Sequence, residues 1–300
     1  MSAVLQLDDV AQLRRAIYSK KFASREDLAA LLRRDDASAA FARLLADIAV
    51  DVLVDQADPE KYVSQADADW FVAELGRSPA PYEAKIAALL DLLRYAASAP
   101  RSLEAYCVGE IEKAVTQKGA VAPEDTQALR EAVFSSVEGS ALHVTRDSAE
   151  ALFNIAHATD GAPNDPAFPD FFAKAVGNYL MGIAFRWTPS AAAEREKQKQ
   201  LDAKPANFGA FLLQMFSGFG RATPQSLDEM DEGRVKAEND ADAAEMALAS
   251  EIDAGETEWL LAHLSREGAL TDAEKALLVF LRQEAPSLPA PLAARLSEAA

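Results

Sequence analysis

Cysteine occurs once in 300 residues, at position 107, so no disulfide can form within the chain. A reducing compartment, the cytoplasm, is the expected setting. Basic residues are scarce: 30 Lys and Arg stand against 48 Asp and Glu, giving a formal net charge of -18. Nucleic acids and anionic membranes are held by a field of Lys and Arg, so neither is the expected partner. No apolar run approaches the ~20 residues that a spanning helix needs, which excludes an integral membrane segment. Asp8 and Asp9 stand where a secretory signal would need a basic flank and an apolar stretch.

Catalytic signatures are missing too. The three histidines, His143, His157 and His263, form no HExxH or other zinc-ligand spacing. There is no phosphate-binding glycine loop and no nucleophile elbow. Local motifs therefore point away from an enzyme, while a site assembled only in three dimensions is invisible at this level.

What the chain has in plenty is Ala and Leu, which favour helices, whereas the residues that pleated sheets prefer are sparse and scattered. The expectation is an all-α protein, a multi-helix bundle or an irregular repeat of helix-loop-helix units. The repeat is clearest around two tryptophans. VSQADADWFVAEL from Val63 and IDAGETEWLLAHL from Ile252 share one order: an aliphatic residue, a capping residue, an acid three positions on, then Trp. Val63, Ser64, Asp67 and Trp70 match Ile252, Asp253, Glu256 and Trp259. Such an order reads as a helix start with a capping box, the acid also facing the positive end of the helix dipole. The likeness continues from Pro81–Leu93 to Thr271–Leu281 with Glu83 set against Glu274, and recurs from Val121, Val144 and Phe168.

Composition divides the chain into a helical domain over 1–187, a charged linker or solvated helix over 188–207, and a segment 208–300 that ends in a further helix-loop-helix unit. Within the last, Phe208, Phe211, Leu212, Met215, Phe216 and Phe219 recur at helical spacing on one face. They are the candidate partner-binding residues, through a docking helix, against the simpler alternative that this face packs on its own protein. From Asp228 to Glu258 twelve acids face only Arg234 and Lys236, a segment that would attract a basic partner surface or stay solvated.

One loop carries a family resemblance. His263–Glu274, HLSREGALTDAE, has Gly sixth, an aliphatic residue eighth and an acid twelfth, and resembles the calcium-binding loop of EF-hand proteins. The resemblance implies that Glu274 would bind the ion and that Ser265 and Glu267 would add oxygens, with His263 standing where the family has Asp. Gln56–Asp67 fits the same frame through Asp58, Glu60 and Asp67, with Lys61 in place of the glycine. A third, Ala114–Asp125, keeps Gly119 and Val121. EGALTDAE and its echo KGAVAPED are also similar to the loops of the tellurite-resistance TerB-like helical domains. Calcium or magnesium is the only cofactor these likenesses imply; otherwise none is expected. The simpler reading of the acids is that they cap helices. The loop from Asp160 to Asp170 gathers Asp160, Asn164, Asp165 and Asp170, but its Pro and Gly density marks a connector.

The expected function is thus a non-enzymatic interaction or scaffold protein of repeated helical hairpins, engaging a protein partner through the aromatic helix or the acidic segment. The alternative is a divalent-cation binding or sensing protein using the EF-hand-like loops.

Overall fold

The computed structural model describes residues 9–135, 144–181, 252–264, 269–285 and 288–298. Of these residues 72% are helical and none forms a strand, so the protein is all-α. Two compact units divide the chain: Met1–Thr188 together with Ser250–Ala300, and Pro189–Ala249. All the described residues belong to the first.

The described residues form twelve α-helices: α1 Val10–Tyr18, α2 Arg25–Leu32, α3 Ala39–Val50, α4 Gln65–Arg77, α5 Tyr82–Tyr95, α6 Arg101–Lys118, α7 Pro123–Val133, α8 Arg146–Ala158, α9 Phe168–Leu180, α10 Ala254–Leu264, α11 Asp272–Glu284 and α12 Ala290–Glu298. A π-helical turn, Asp51–Asp55, prolongs α3. Among the described residues no helix is long and apolar enough to cross a membrane.

The helix starts explain why acids recur at fixed places in the sequence. Lys21, Lys61 and Gly119 all have positive φ (81°, 69° and 75°), and each lies six residues before an acid, Asp27, Asp67 or Asp125. The left-handed residue turns the chain out of one helix, and a buried apolar residue two positions on, Ala23, Val63 or Val121, anchors the approach to the next. A cap follows directly. Ser24 Oγ accepts from the Asp27 amide at 3.2 Å while Asp27 Oδ2 accepts from the Ser24 amide at 3.1 Å. Asp253 with Glu256, and Thr271 with Glu274, make the same reciprocal exchange. At Ala122, which has no side chain to accept, only the acid's half survives, Asp125 Oδ2 taking the Ala122 amide at 2.7 Å.

Two halves of four helices each emerge from the packing, α2–α5 and α8–α11, with α6 and α7 between them. Ser24 caps α2 and Thr145 caps α8, each accepting from the amide three residues on at 3.2 Å. Arg25 and Arg146 open these helices, and their guanidinium groups lie over Trp70 at 5.3 Å and Trp259 at 5.9 Å. The buried stripe Phe41, Leu44, Leu45, Ala49 of α3 has its counterpart in Phe168, Phe171, Phe172, Val176 of α9. α5 packs along α3 and α11 along α9, the two most extensive helix pairings among the described residues. The buried positions Ala88, Leu89, Leu92 match Leu277, Leu278, Leu281. This register sets Lys85, rather than Glu83, opposite Glu274, because burial and not residue identity fixes which face of a helix meets the core.

Spacing shows where the halves differ. From Arg25 to Phe41 is 16 positions and from Arg146 to Phe168 is 22, so the first connection is longer in the second half. From Phe41 to Trp70 is 29 positions, against 91 from Phe168 to Trp259. The unit Pro189–Ala249 lies inside that longer connection. Composition grouped the final helical pair with residues 208–253, but in the fold it completes the half that begins at α8.

The halves meet across α6. Glu104 of α6 is fully buried: its Oε1 accepts from Ser148 Oγ and, at 3.4 Å, from Thr145 Oγ1, both at the start of α8. Its Oε2 has no hydrogen-bond partner among the described residues. Burial pushes this carboxyl up to about 7, against the pull of the two hydroxyls. One turn on, burial also pushes the Cys107 thiol up, keeping it protonated and inert.

Candidate ligand cleft

The longer connection of the second half builds a cleft. Its walls are the end of α8, the Thr159–Ala167 loop and the start of α9 on one side, and Thr271–Ala273 at the start of α11 on the other. The enclosed volume is about 310 Å³. That is the low end of the ~300–1,000 Å³ typical of ligand sites, room for one side chain or a small molecule rather than a helix.

Backbone and side-chain bonds hold the loop rigid. Gly161 takes a positive φ of 68° that an L side chain would resist. Asn164 braces the loop twice, its Nδ2 donating to the Thr159 carbonyl and its Oδ1 accepting from the Val121 amide, both at 2.8 Å. The Asp165 amide donates to the Val121 carbonyl at 2.7 Å. The loop is therefore docked on the α6–α7 connection instead of waving in solvent.

A buried pair joins the two walls behind the cleft. His157 Nε2 of α8 lies 3.0 Å from Glu274 Oε1 of α11, with side chains 7% and 2% exposed. Glu274 Oε2 accepts from the Thr271 amide at 2.7 Å, so one carboxylate closes both the cap of α11 and the bridge to α8. Beside it Phe153 meets Trp259 edge-to-face with centroids 5.6 Å apart and stacks on His263 at 4.6 Å. Trp259 Nε1 donates to Glu150 Oε1 at 3.3 Å. Partial burial raises the Glu150 carboxyl, but the bonds from Arg146 and Trp259 outweigh it and hold the group below the usual carboxylate range.

Three carboxylates edge the cleft, Asp160, Asp165 and Asp272, and among the described residues no Lys or Arg lines it. Asp165 Oδ1 accepts from the Ala167 amide at 3.1 Å, and Asp272 Oδ1 from Lys275 at 2.9 Å. Pro163, Pro166 and Phe168 supply apolar surface between them. A second depression, about 510 Å³ and open, lies along Ile252, Leu261, Pro289 and Pro291.

The residues expected from sequence fall in several places. Phe208, Phe211, Leu212, Met215, Phe216 and Phe219 lie outside the described residues, as do Ser265 and Glu267. Asp58 and Glu60 are exposed on the connection into α4. Asp67 is half-buried: it accepts from Ser64 Oγ at 2.6 Å and pairs with Arg25. Glu274 is spent as just described. Among the described residues no three His, Cys, Asp or Glu side chains gather at a point that would hold a metal ion. Asp160, Asp165 and Asp272 line one cleft; the first two stand in the Pro- and Gly-rich loop, whereas nothing in the sequence singles out Asp272. The long connection was visible as a Pro- and Gly-rich loop, but its opposite wall lies over a hundred residues away.

No family model, no curated protein and no solved structure matches the chain. The cleft is read from its own chemistry.

Proposed function

We propose that the chain is a non-enzymatic interaction protein, a duplicated helical scaffold that uses its second half to hold a protein partner. The supporting observation is the cleft itself. It is enclosed by the connection in which the second half exceeds the first, on a loop that is braced rather than mobile, and recognition sites gather on loops held by a rigid scaffold. The carboxylates packed behind it already have structural work: Glu274 caps α11 and bridges to His157, and the partly exposed Glu150 holds Arg146 and Trp259. Chemistry on a substrate would need such groups free.

A displayed library of short random peptides tests this reading. Wild-type protein is expected to enrich a recurrent motif, and Ala162→Trp, which fills the cleft from a partly exposed loop position, is expected to lose it. Enrichment unchanged by Ala162→Trp would move the site elsewhere, with Phe211→Ser plus Phe216→Ser as the next variant. No enrichment at all would defeat the reading.

A further inference from the structure

We infer that the joint between α6 and α8 is a proton-dependent latch. With a proton on Glu104 the start of α8 lies closed on α6; without it, that end opens to admit water. The latch is separate from the cleft and does not depend on what the cleft binds.

Glu104 is fully buried, and both hydroxyls that reach it, Ser148 Oγ and Thr145 Oγ1, donate to the same oxygen, Oε1. Among the described residues nothing bonds Oε2. A neutral acid tolerates that arrangement. A carboxylate spreads its charge over both oxygens, and a dry, unpartnered one is strongly disfavoured. Water at Oε2 relieves it, and a fully buried oxygen receives water only if the helices part. The residues that would move are those that start α8. Thr145 Oγ1 also accepts from the Ser148 amide at 3.2 Å, and the Thr145 carbonyl accepts from the Ala149 amide at 3.0 Å. Further along the same two helices, Asn154 Nδ2 donates to Glu112 Oε1 at 3.0 Å. That bond does not involve the Glu104 proton, so the far part of α8 stays in place and the opening is a local pivot.

The groups around Glu104 leave its burial in command. Asp147 of α8 disfavours ionisation as burial does, while the exposed Arg101 of α6 and the two hydroxyls favour it. Burial outweighs them and pushes the carboxyl up to about 7, so proton occupancy changes near neutrality. Cys107, one turn on, and Tyr82 of α5 beside it are both pushed up by burial and keep their protons. From α7, Asp125 is held by Lys118 of α6, and α4 meets α6 through the uncharged Gln65 and Ser102.

The test uses the full chain, labelled with ¹³C at the glutamate carboxyls and ¹⁵N at the amides. The carboxyl signal missing from Glu104→Gln identifies Glu104, which is expected to titrate at about 7. Ser148→Ala removes a donor to the charged form and is expected to raise that midpoint; Asp147→Asn, a surface change, is expected to lower it. Protection factors, which exclude the intrinsic pH dependence of exchange, are expected to fall at Ser148 and Ala149 between pH 4.5 and 7. At about tenfold per pH unit the fall is about a hundredfold. Leu89 and Leu92 of α5 are expected to fall by less than about tenfold, and Glu104→Gln to abolish the difference. Titration in the ordinary carboxylate range, a midpoint that neither Ser148→Ala nor Asp147→Asn moves, or the same fall in Glu104→Gln would each overturn the inference. So would an equal fall at Leu89 and Leu92, which marks loss of global stability in place of a latch. Should Glu104→Gln not fold, Asp147→Asn decides alone: the fall at Ser148 and Ala149 moves with the Glu104 midpoint, or the latch is rejected.

Discussion

Trp70 and Trp259 occupy the same place in the two halves, under the arginine that opens the neighbouring helix, yet Trp259 is buried and Trp70 only half-buried. The difference lies in what surrounds them. At the positions where the second half has Phe153, Tyr179 and His263, the first has Leu32, Val52 and Glu74. Trp259 meets all three of its aromatic neighbours, with centroids between 4.6 and 5.6 Å away. Among the described residues Trp70 stacks only on its own neighbour Phe71, at 6.5 Å. One backbone plan thus supports two levels of packing, and the more tightly packed half is the one that carries the cleft. A site built on a rigid wall keeps its geometry without a ligand.

The sharpest way to break the comparison is to remove each tryptophan. Trp259→Ala is expected to cost about 4 kcal/mol, within the range for deleting a buried aromatic. Trp70→Ala, leaving a partly solvated gap, is expected to cost about half of that. Urea unfolding of both variants measures the gap; equal losses would mean that the aromatic surroundings of Trp259 add nothing.

Next in size is the joint between the halves. Glu104 has its folded pKa raised to about 7, so the folded state binds this proton more tightly than the unfolded chain does. Its contribution is complete below the ordinary carboxylate range and is lost as pH rises toward 7. At about 1.4 kcal/mol per unit, the loss approaches about 3 kcal/mol. Glu104→Gln is expected to flatten the stability profile between pH 4.5 and 7 relative to wild type. Parallel profiles would show that the carboxyl titrates normally.

A smaller effect comes from the approach of α9 and α11. A Cβ built on Gly177 would overlap the Phe280 ring, whereas the matching position in α3 is Val50. Gly177→Val is expected to cost about 2 kcal/mol by overpacking. Adding Phe280→Ala is expected to recover part of that loss, a coupling that thermal unfolding of the four-member cycle would reveal. Strict additivity of the two changes would mean they do not touch.

The smallest is a single cap. Asp67→Ala removes one side of the Ser64 exchange and the pairing to Arg25, at a cost of about 1 kcal/mol. Calcium titration of the same variant compares the two readings of this acid: a cap loses stability with no change in ion response, while a ligand loses heat of binding.

The sequence by itself determined the helices and their starts. Capping boxes act over three residues and hydrophobic stripes over four, so Ser64 with Asp67, Asp253 with Glu256 and Thr271 with Glu274 were legible as helix starts from spacing alone. The kinship of the two tryptophan segments was legible for the same reason. Tertiary structure decided everything that depends on partners far apart in the chain. It placed Glu104 against Ser148, His157 against Glu274, and the Asp160–Asp165 loop against Thr271–Ala273. It also showed that α10 and α11 complete a half begun at α8, because Trp259 and Phe280 find their packing on α8 and α9. Local spacing is fixed by helix geometry, but a cleft is a meeting of surfaces, and only burial of the whole chain selects which surfaces meet.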